Sequence, residues 1–224
     1  MREYIKSYHA FLPARYMKWI IYLLYPAVML IAMFGGKLFG IRGNLMNRMM
    51  WILIAPAAMI GVECLLDMFI FAGFGSRGNI RHMEYIRASV RGVRFARQAL
   101  IVDAVRRMLY LAVIAFAGYV SYRANGWGTP DRTLIVAWLC FLTAMGFLGS
   151  VILWIIRLTD NRTVQFSSIY FTCIASAPLA FLLFDVWAVN KMLLFGCCMG
   201  LYIVSAVGQV WYLSKKLKEG YYDR

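Results

Sequence analysis

The sequence predicts an all-α membrane protein of six transmembrane helices with an N-terminal amphipathic helix and a cytoplasmic helical hairpin between spans two and three. Three observations predict it. The chain is 62% apolar and 15% charged, with a mean hydropathy of +0.67, outside the range of soluble domains. Its apolar residues gather into six stretches that reach, or can be extended to, the roughly 20 residues needed to cross a hydrocarbon core. Its 24 Lys and Arg, against 10 Asp and Glu, fall unevenly among the connections, as membrane topology requires. In a soluble chain such a basic excess would suggest nucleic acid; read as topology it does not, and no nucleic-acid partner is expected.

The elements follow in order. Residues 1–17 place Tyr4, Ile5, Tyr8, Phe11 and Leu12 on one side of a basic helix, the pattern of a helix lying on the inner membrane surface. Spans are expected at Lys18 to Gly35, Met49 to Phe74, Gln98 to Tyr122, Leu134 to Ile156, Val164 to Phe184 and Met192 to Leu213, within one domain covering residues 1–224. Trp19, Trp51, Trp154, Trp187 and Trp211 fall near their ends, where interfacial indoles belong. Pro26, Pro56 and Pro178 lie inside spans and imply local kinks. The first apolar run is too long for a cleavable signal peptide and no small-residue cleavage site follows it.

Six spans put both termini on one side. With the N-terminus inside, the inner segments hold eighteen cations and the outer loops six, namely Lys37, Arg42, Arg48, Arg123, Arg132 and Lys191. That asymmetry sets both termini in the cytoplasm and suits a multi-pass protein of a bacterial cytoplasmic (inner) membrane, in contact with membrane lipid.

The largest inner segment, 75–107, is rich in arginine and free of lysine. Met83, Ile86, Val90, Val93, Leu100, Ile101 and Ala104 recur at helical spacing, with Arg87, Arg91 and Arg94 on the opposite stripe. Gly92 breaks the pattern into a short helix and the lead-in to the third span. Asp103 stands three and four residues before Arg106 and Arg107, a spacing that pairs them on one face. Two explanations stay open. Positive-inside retention and headgroup contact need only charge, at about 1 kcal/mol per cation near an anionic leaflet. A docking surface would use the guanidinium fork, which holds carboxylates and carbonyls in fixed geometry where ammonium does not.

Within the spans the least expected residues are Glu63 and Asp67, carboxylates at i and i+4. Ionisable groups at such depth face protein or water, so this pair either hydrogen-bonds across the bundle, lines a transport path, or shares a proton. Ser168, Thr172 and Ser176 recur at four-residue spacing in the fifth span; they line a polar path or let helices approach closely. Gly196 with Gly200, and Gly146 with Ser150, give small-x-x-x-small pairs that could mark a subunit interface.

Catalysis finds little footing. His9 and His82 have no cysteine close in sequence, and Cys64, Cys140, Cys173, Cys197 and Cys198 all fall in spans, where cysteine behaves as a small hydrophobe. No cluster has metal-ligand spacing, so no catalytic or metal site is expected. The phosphate-binding run G-x-x-x-x-G-K-[ST] is missing; Phe34 to Leu38 imitates only part of it.

An amphipathic N-terminal helix, six spans and a hairpin between the second and third resemble the membrane subunit of ABC exporters of the ABC-2 (type V) kind. Among small members the layout is most similar to permeases of the phenol-soluble modulin exporter type. The resemblance spans the whole chain as an architectural plan. It implies a permease subunit, not an enzyme, that exports an amphipathic or hydrophobic cargo, a peptide first of all. ATP and Mg would sit on a separate cytosolic ABC ATPase, with no cofactor on this chain, and a second permease copy would complete the pore. By position it makes Met83 to Arg97 the coupling element, with Glu84, Arg87, Arg91, Arg94, Arg97, Asp103 and Arg107 as the ATPase-coupling residues. Glu63, Asp67, Ser168, Thr172 and Ser176 would belong to the translocation path, and 178–190 would form an outer re-entrant segment. The alternative is an ATP-independent secondary transporter or channel built on Glu63 and Asp67.

Overall fold

A computed structural model describes residues 2–12, 15–36, 45–71, 91–159, 161–181 and 190–222. Among them every regular element is helical. α1 (Arg2–Phe11) is followed by α2 (Arg15–Trp19), a π-helical turn (Ile20–Leu24) and α3 (Tyr25–Phe34), which run on as one rod. The wide turn sits where Pro26 needs it: proline has no N–H to donate, and its ring crowds the carbonyl of Tyr22 four residues earlier. Then come α4 (Leu45–Ile70), α5 (Gly92–Ala124), α6 (Arg132–Leu158), α7 (Arg162–Phe181) and α8 (Lys191–Tyr222).

Among the described residues three stretches are long and apolar enough to cross a membrane: Met17–Phe34, Arg132–Leu158 and Met192–Lys218. The other three expected spans also fall on helices, α4, α5 and α7. α5 begins at Gly92, six residues before the expected start, so residues 92–107 of the arginine segment and the third expected span share one continuous helix. Its C-terminal end is closed by Asn125, whose amide donates to the Met33 carbonyl at 3.1 Å and ties it to α3. The chain then turns through Gly126 and Gly128 at φ 75° and 96°, a region that favours glycine.

α6 is the central helix, packing against α4, α5, α7 and most extensively α8. Two apolar clusters fill the bundle. One gathers Met59, Ile60, Cys64, Ile114, Trp138, Phe141 and Met145; the other gathers Tyr8, Ile21, Phe71, Ala99, Leu100, Leu213 and Leu217.

α1 departs from the expected surface helix. Tyr8 and Leu12 are buried in the second cluster, whereas Tyr4 and Ile5 stay exposed. Ser7 donates to the Gln98 side chain at 2.9 Å, and Phe11 lies against Phe71 and Phe95. Part of its apolar side is therefore packed into the bundle, on the same flank where Ser7 bonds to α5. Trp19 and Trp211 are exposed, and Trp154 packs edge-on against Tyr212. The side chains of Trp51 and Trp187 lie outside the described residues.

Candidate functional site

Between the two clusters lies a layer of charge. On α4, Glu63 and Asp67 fall where the helix passes from one cluster to the other; on α5, Asp103, Arg106 and Arg107 do the same; Arg157 ends the buried face of α6 and Gln209 holds that level on α8. The four-residue spacing of Glu63 and Asp67 puts both on one face of α4, one turn apart, and each meets an arginine of another helix.

Arg106 grips Glu63 with both terminal nitrogens, Nη1 to Oε1 at 2.7 Å and Nη2 to Oε2 at 2.5 Å, and reaches Asp103 Oδ1 at 3.0 Å. Arg157 grips Asp67 likewise, Nε to Oδ2 at 2.8 Å and Nη2 to Oδ1 at 2.5 Å, and Nη2 also donates to Asp103 Oδ2 at 2.5 Å. Arg107 pairs with the same Asp103 Oδ2 and returns Nε to the Asp103 carbonyl at 3.3 Å. Arg157 Nη1 donates to Gln209 Oε1 at 3.2 Å, and Gln209 Nε2 to the Ser150 carbonyl at 2.9 Å. Asp103 is thus the hub, with three guanidiniums converging on one carboxylate.

Three carboxylates face three guanidiniums, and all six residues are buried, Arg157 at 1% exposure. The formal charge of the layer is zero. That balance is what lets it exist inside an apolar bundle, since an isolated buried ion costs several kcal/mol. The bidentate forks satisfy the carboxylate lone pairs in a way lysine could not. Aromatic rings complete the shell: Phe71 lies 4.8 Å from the Arg157 guanidinium carbon, and Tyr110 and Tyr8 lie 5.2 Å and 5.9 Å from that of Arg106. On the α1 side the layer is less complete, for Arg106 Nε and the Tyr8 hydroxyl are buried without a hydrogen-bond partner. Burial holds the Tyr8 phenol well above its ordinary value of 10.

The predicted site residues divide accordingly. Glu63 and Asp67 come together with Asp103 and Arg107 in one network, although the sequence suggested two separate roles for these pairs. Asp103 and Arg107 are packed inside the bundle and are no part of an outer docking face. Arg91, Arg94 and Arg97 are exposed on the first turns of α5. Glu84 and Arg87 lie outside the described residues, as does the first limb of the expected hairpin, 72–90. Ser168 donates to the Val164 carbonyl of its own helix at 2.8 Å, while the side chains of Thr172 and Ser176 lie outside the described residues. α7 continues helical through Pro178 to Phe181, and 182–189 of the expected re-entrant segment lie outside them too.

Two small-residue pairs also separate. Gly146 and Ser150 face other helices of the same chain: a Cβ on Gly146 would stand 2.8 Å from Leu111, and the Ser150 hydroxyl bonds that of Ser205 at 2.9 Å. They serve packing within the chain. Gly196 and Gly200 have nothing within 4 Å of the space a Cβ would fill.

Sequence reasoning paired Arg106 with Asp103 but missed its grip on Glu63, and it missed Arg157 altogether, reading it as a cation of an inner connection. One signal pointed to them. Arg157 stands directly after the expected span ending at Ile156, and three acids and three arginines fall at the matching ends of three expected spans. No protein-family model matches the chain, and neither does any curated protein or solved structure.

Proposed function

We propose that this chain is a six-span permease subunit of an ATP-driven exporter, moving an amphipathic or hydrophobic cargo, a peptide first of all, with a separate cytosolic ABC ATPase and a second permease copy. One observation carries the reading. The exposed arginines Arg91, Arg94 and Arg97 share an unbroken helix with Asp103, Arg106 and Arg107, whose ion pairs join α4, α5 and α6. A push on the exposed end of α5 is therefore delivered to the charge hub with little loss, since a helix is stiff along its axis. A subunit driven by a partner's motion needs such a lever. The open face at Gly196 and Gly200, continued by exposed Val204, Val207 and Trp211, suits the second copy.

The ATP-independent reading draws less support, because Glu63 and Asp67 are each held by an arginine fork of a neighbouring helix. The test is co-purification with an ATPase lacking membrane spans and encoded beside this chain, for wild type and for the triple variant R91K/R94K/R97K, followed by ATPase turnover. Lysine keeps charge and removes the fork. Loss of the complex or of turnover in the variant supports docking through these arginines; a wild type that captures no ATPase sinks the export reading.

A further inference from the structure

Between α5, α6 and α8 a groove of about 550 Å³ runs along the outer half of α6, walled by Ala112, Phe116, Trp138, Leu142, Phe195 and Ile203. That volume lies within the roughly 300–1,000 Å³ of small-molecule sites. The concavity is built rather than incidental. Gly118 has no side chain, so the Trp138 indole lies directly on α5, where a Cβ would come within 2.6 Å of its ring. Trp138 Nε1 donates to the Ala115 carbonyl at 3.2 Å, which fixes the indole as the groove's floor. The side away from it is open, with Phe116 at 70% exposure.

The groove does not end blindly. Leu111 and Tyr202 line it and also line a second, smaller cavity of about 30 Å³, whose walls include Glu63, Arg107, Ser150 and Gln209. That is room for a head of a few atoms beside the charged layer. From Met108 to Tyr122 the groove follows fifteen residues of α5, about 21 Å of helix from first to last, more than the roughly 15 Å that one leaflet contributes to the hydrocarbon core. Such a slot is narrow, long, apolar and polar at one end.

We propose that the groove binds one single-chain amphiphile with an uncharged polar head, the chain lying over Trp138 and the head lodged by Arg107, Tyr202 and Gln209. The sign of the head follows from the layer beside it. Glu63, Asp67 and Asp103 already balance Arg106, Arg107 and Arg157, so a charged head would leave one buried charge uncompensated, at a cost of several kcal/mol. An amide- or hydroxyl-like head both donates and accepts, matching the mixture of Arg107 donors with the Tyr202 hydroxyl and Gln209 side-chain oxygen in the wall. The inference does not rest on the export reading, and a chain that moves nothing would still carry the site.

The test uses the full chain in lipid nanodiscs at pH 9 and two probes of the same shape, tritiated palmitamide and ionised palmitate, with excess unlabelled probe to subtract simple partitioning. We expect saturable palmitamide binding, one per chain, at least about tenfold tighter than palmitate. The variant Ala112→Trp fills the groove from an exposed position and should weaken palmitamide by a similar factor. Absence of saturable palmitamide binding overturns the proposal, as does palmitate binding equally well, or an Ala112→Trp variant that binds like wild type.

Discussion

The two ends of α5 use the same residue type to opposite ends. Arg91, Arg94 and Arg97 occupy its first turns in contact with solvent, whereas Arg106 and Arg107, a few turns further on, are buried. What separates them is not hydropathy but partners. Asp103 lies three and four residues before the buried pair, and Glu63 stands opposite on α4. No acid lies within four residues of Arg94 or Arg97 in the sequence. An arginine enters an apolar interior only where a carboxylate is already placed to receive it, and one left without a partner keeps its head in water.

The comparison breaks most severely at Arg157. Arg157→Leu leaves Asp67 unpaired and the layer one charge short, and should cost about 3–5 kcal/mol, read as a fall in thermal unfolding temperature in detergent. The double variant Asp67→Leu with Arg157→Leu restores the balance and should recover a large part of that loss. If it is no better than the single variant, packing rather than charge holds this end of α6.

A gentler variant sharpens the contrast along α5. Arg106→Lys keeps the charge but loses the fork on Glu63 and should destabilise by about 1–3 kcal/mol, while Arg94→Lys and Arg97→Lys should stay within about 0.5 kcal/mol, as surface substitutions do. Equal effects at the two ends would erase the distinction between them.

The smallest effect lies on α1, whose Tyr8 roofs Arg106. Burial, with Lys18 adding to it, lowers the pKa of His9 below its ordinary 6.5. The folded state therefore prefers the neutral imidazole. Its contribution to stability is complete above pH 6.5 and declines as pH falls from there toward the folded value. His9→Phe should flatten this slope between pH 7 and 5, and an unchanged slope would place the titrating group elsewhere.

The helical class was legible because hydropathy period and length depend only on local sequence. So was the pairing of Asp103 with Arg106 and Arg107, since three- and four-residue spacing fixes it within one helix. The Glu63–Arg106 and Asp67–Arg157 pairs were not, being separated by 43 and 90 residues; only tertiary packing brings them together. For the same reason nothing near Ser7 in the sequence signalled that α1 would dock on α5, because its partner Gln98 is 91 residues distant. The groove over Trp138 was equally hidden, as it depends on a missing side chain at Gly118 on a different helix.

The charged layer also constrains how the chain is made. Placed alone at the centre of a bilayer helix, each Asp or Arg costs roughly 2.5–3.5 kcal/mol to insert. With α4 and α5 crossing the bilayer as proposed, neither is a good passenger by itself. Together they carry Glu63 and Asp103 against Arg106 and Arg107, so the two can leave the insertion machinery as a hairpin whose layer has one unmatched charge, Asp67, before α6 is synthesised. Asp67 alone must wait for Arg157, 90 residues later, which makes the arrival of α6 the step that completes the bundle.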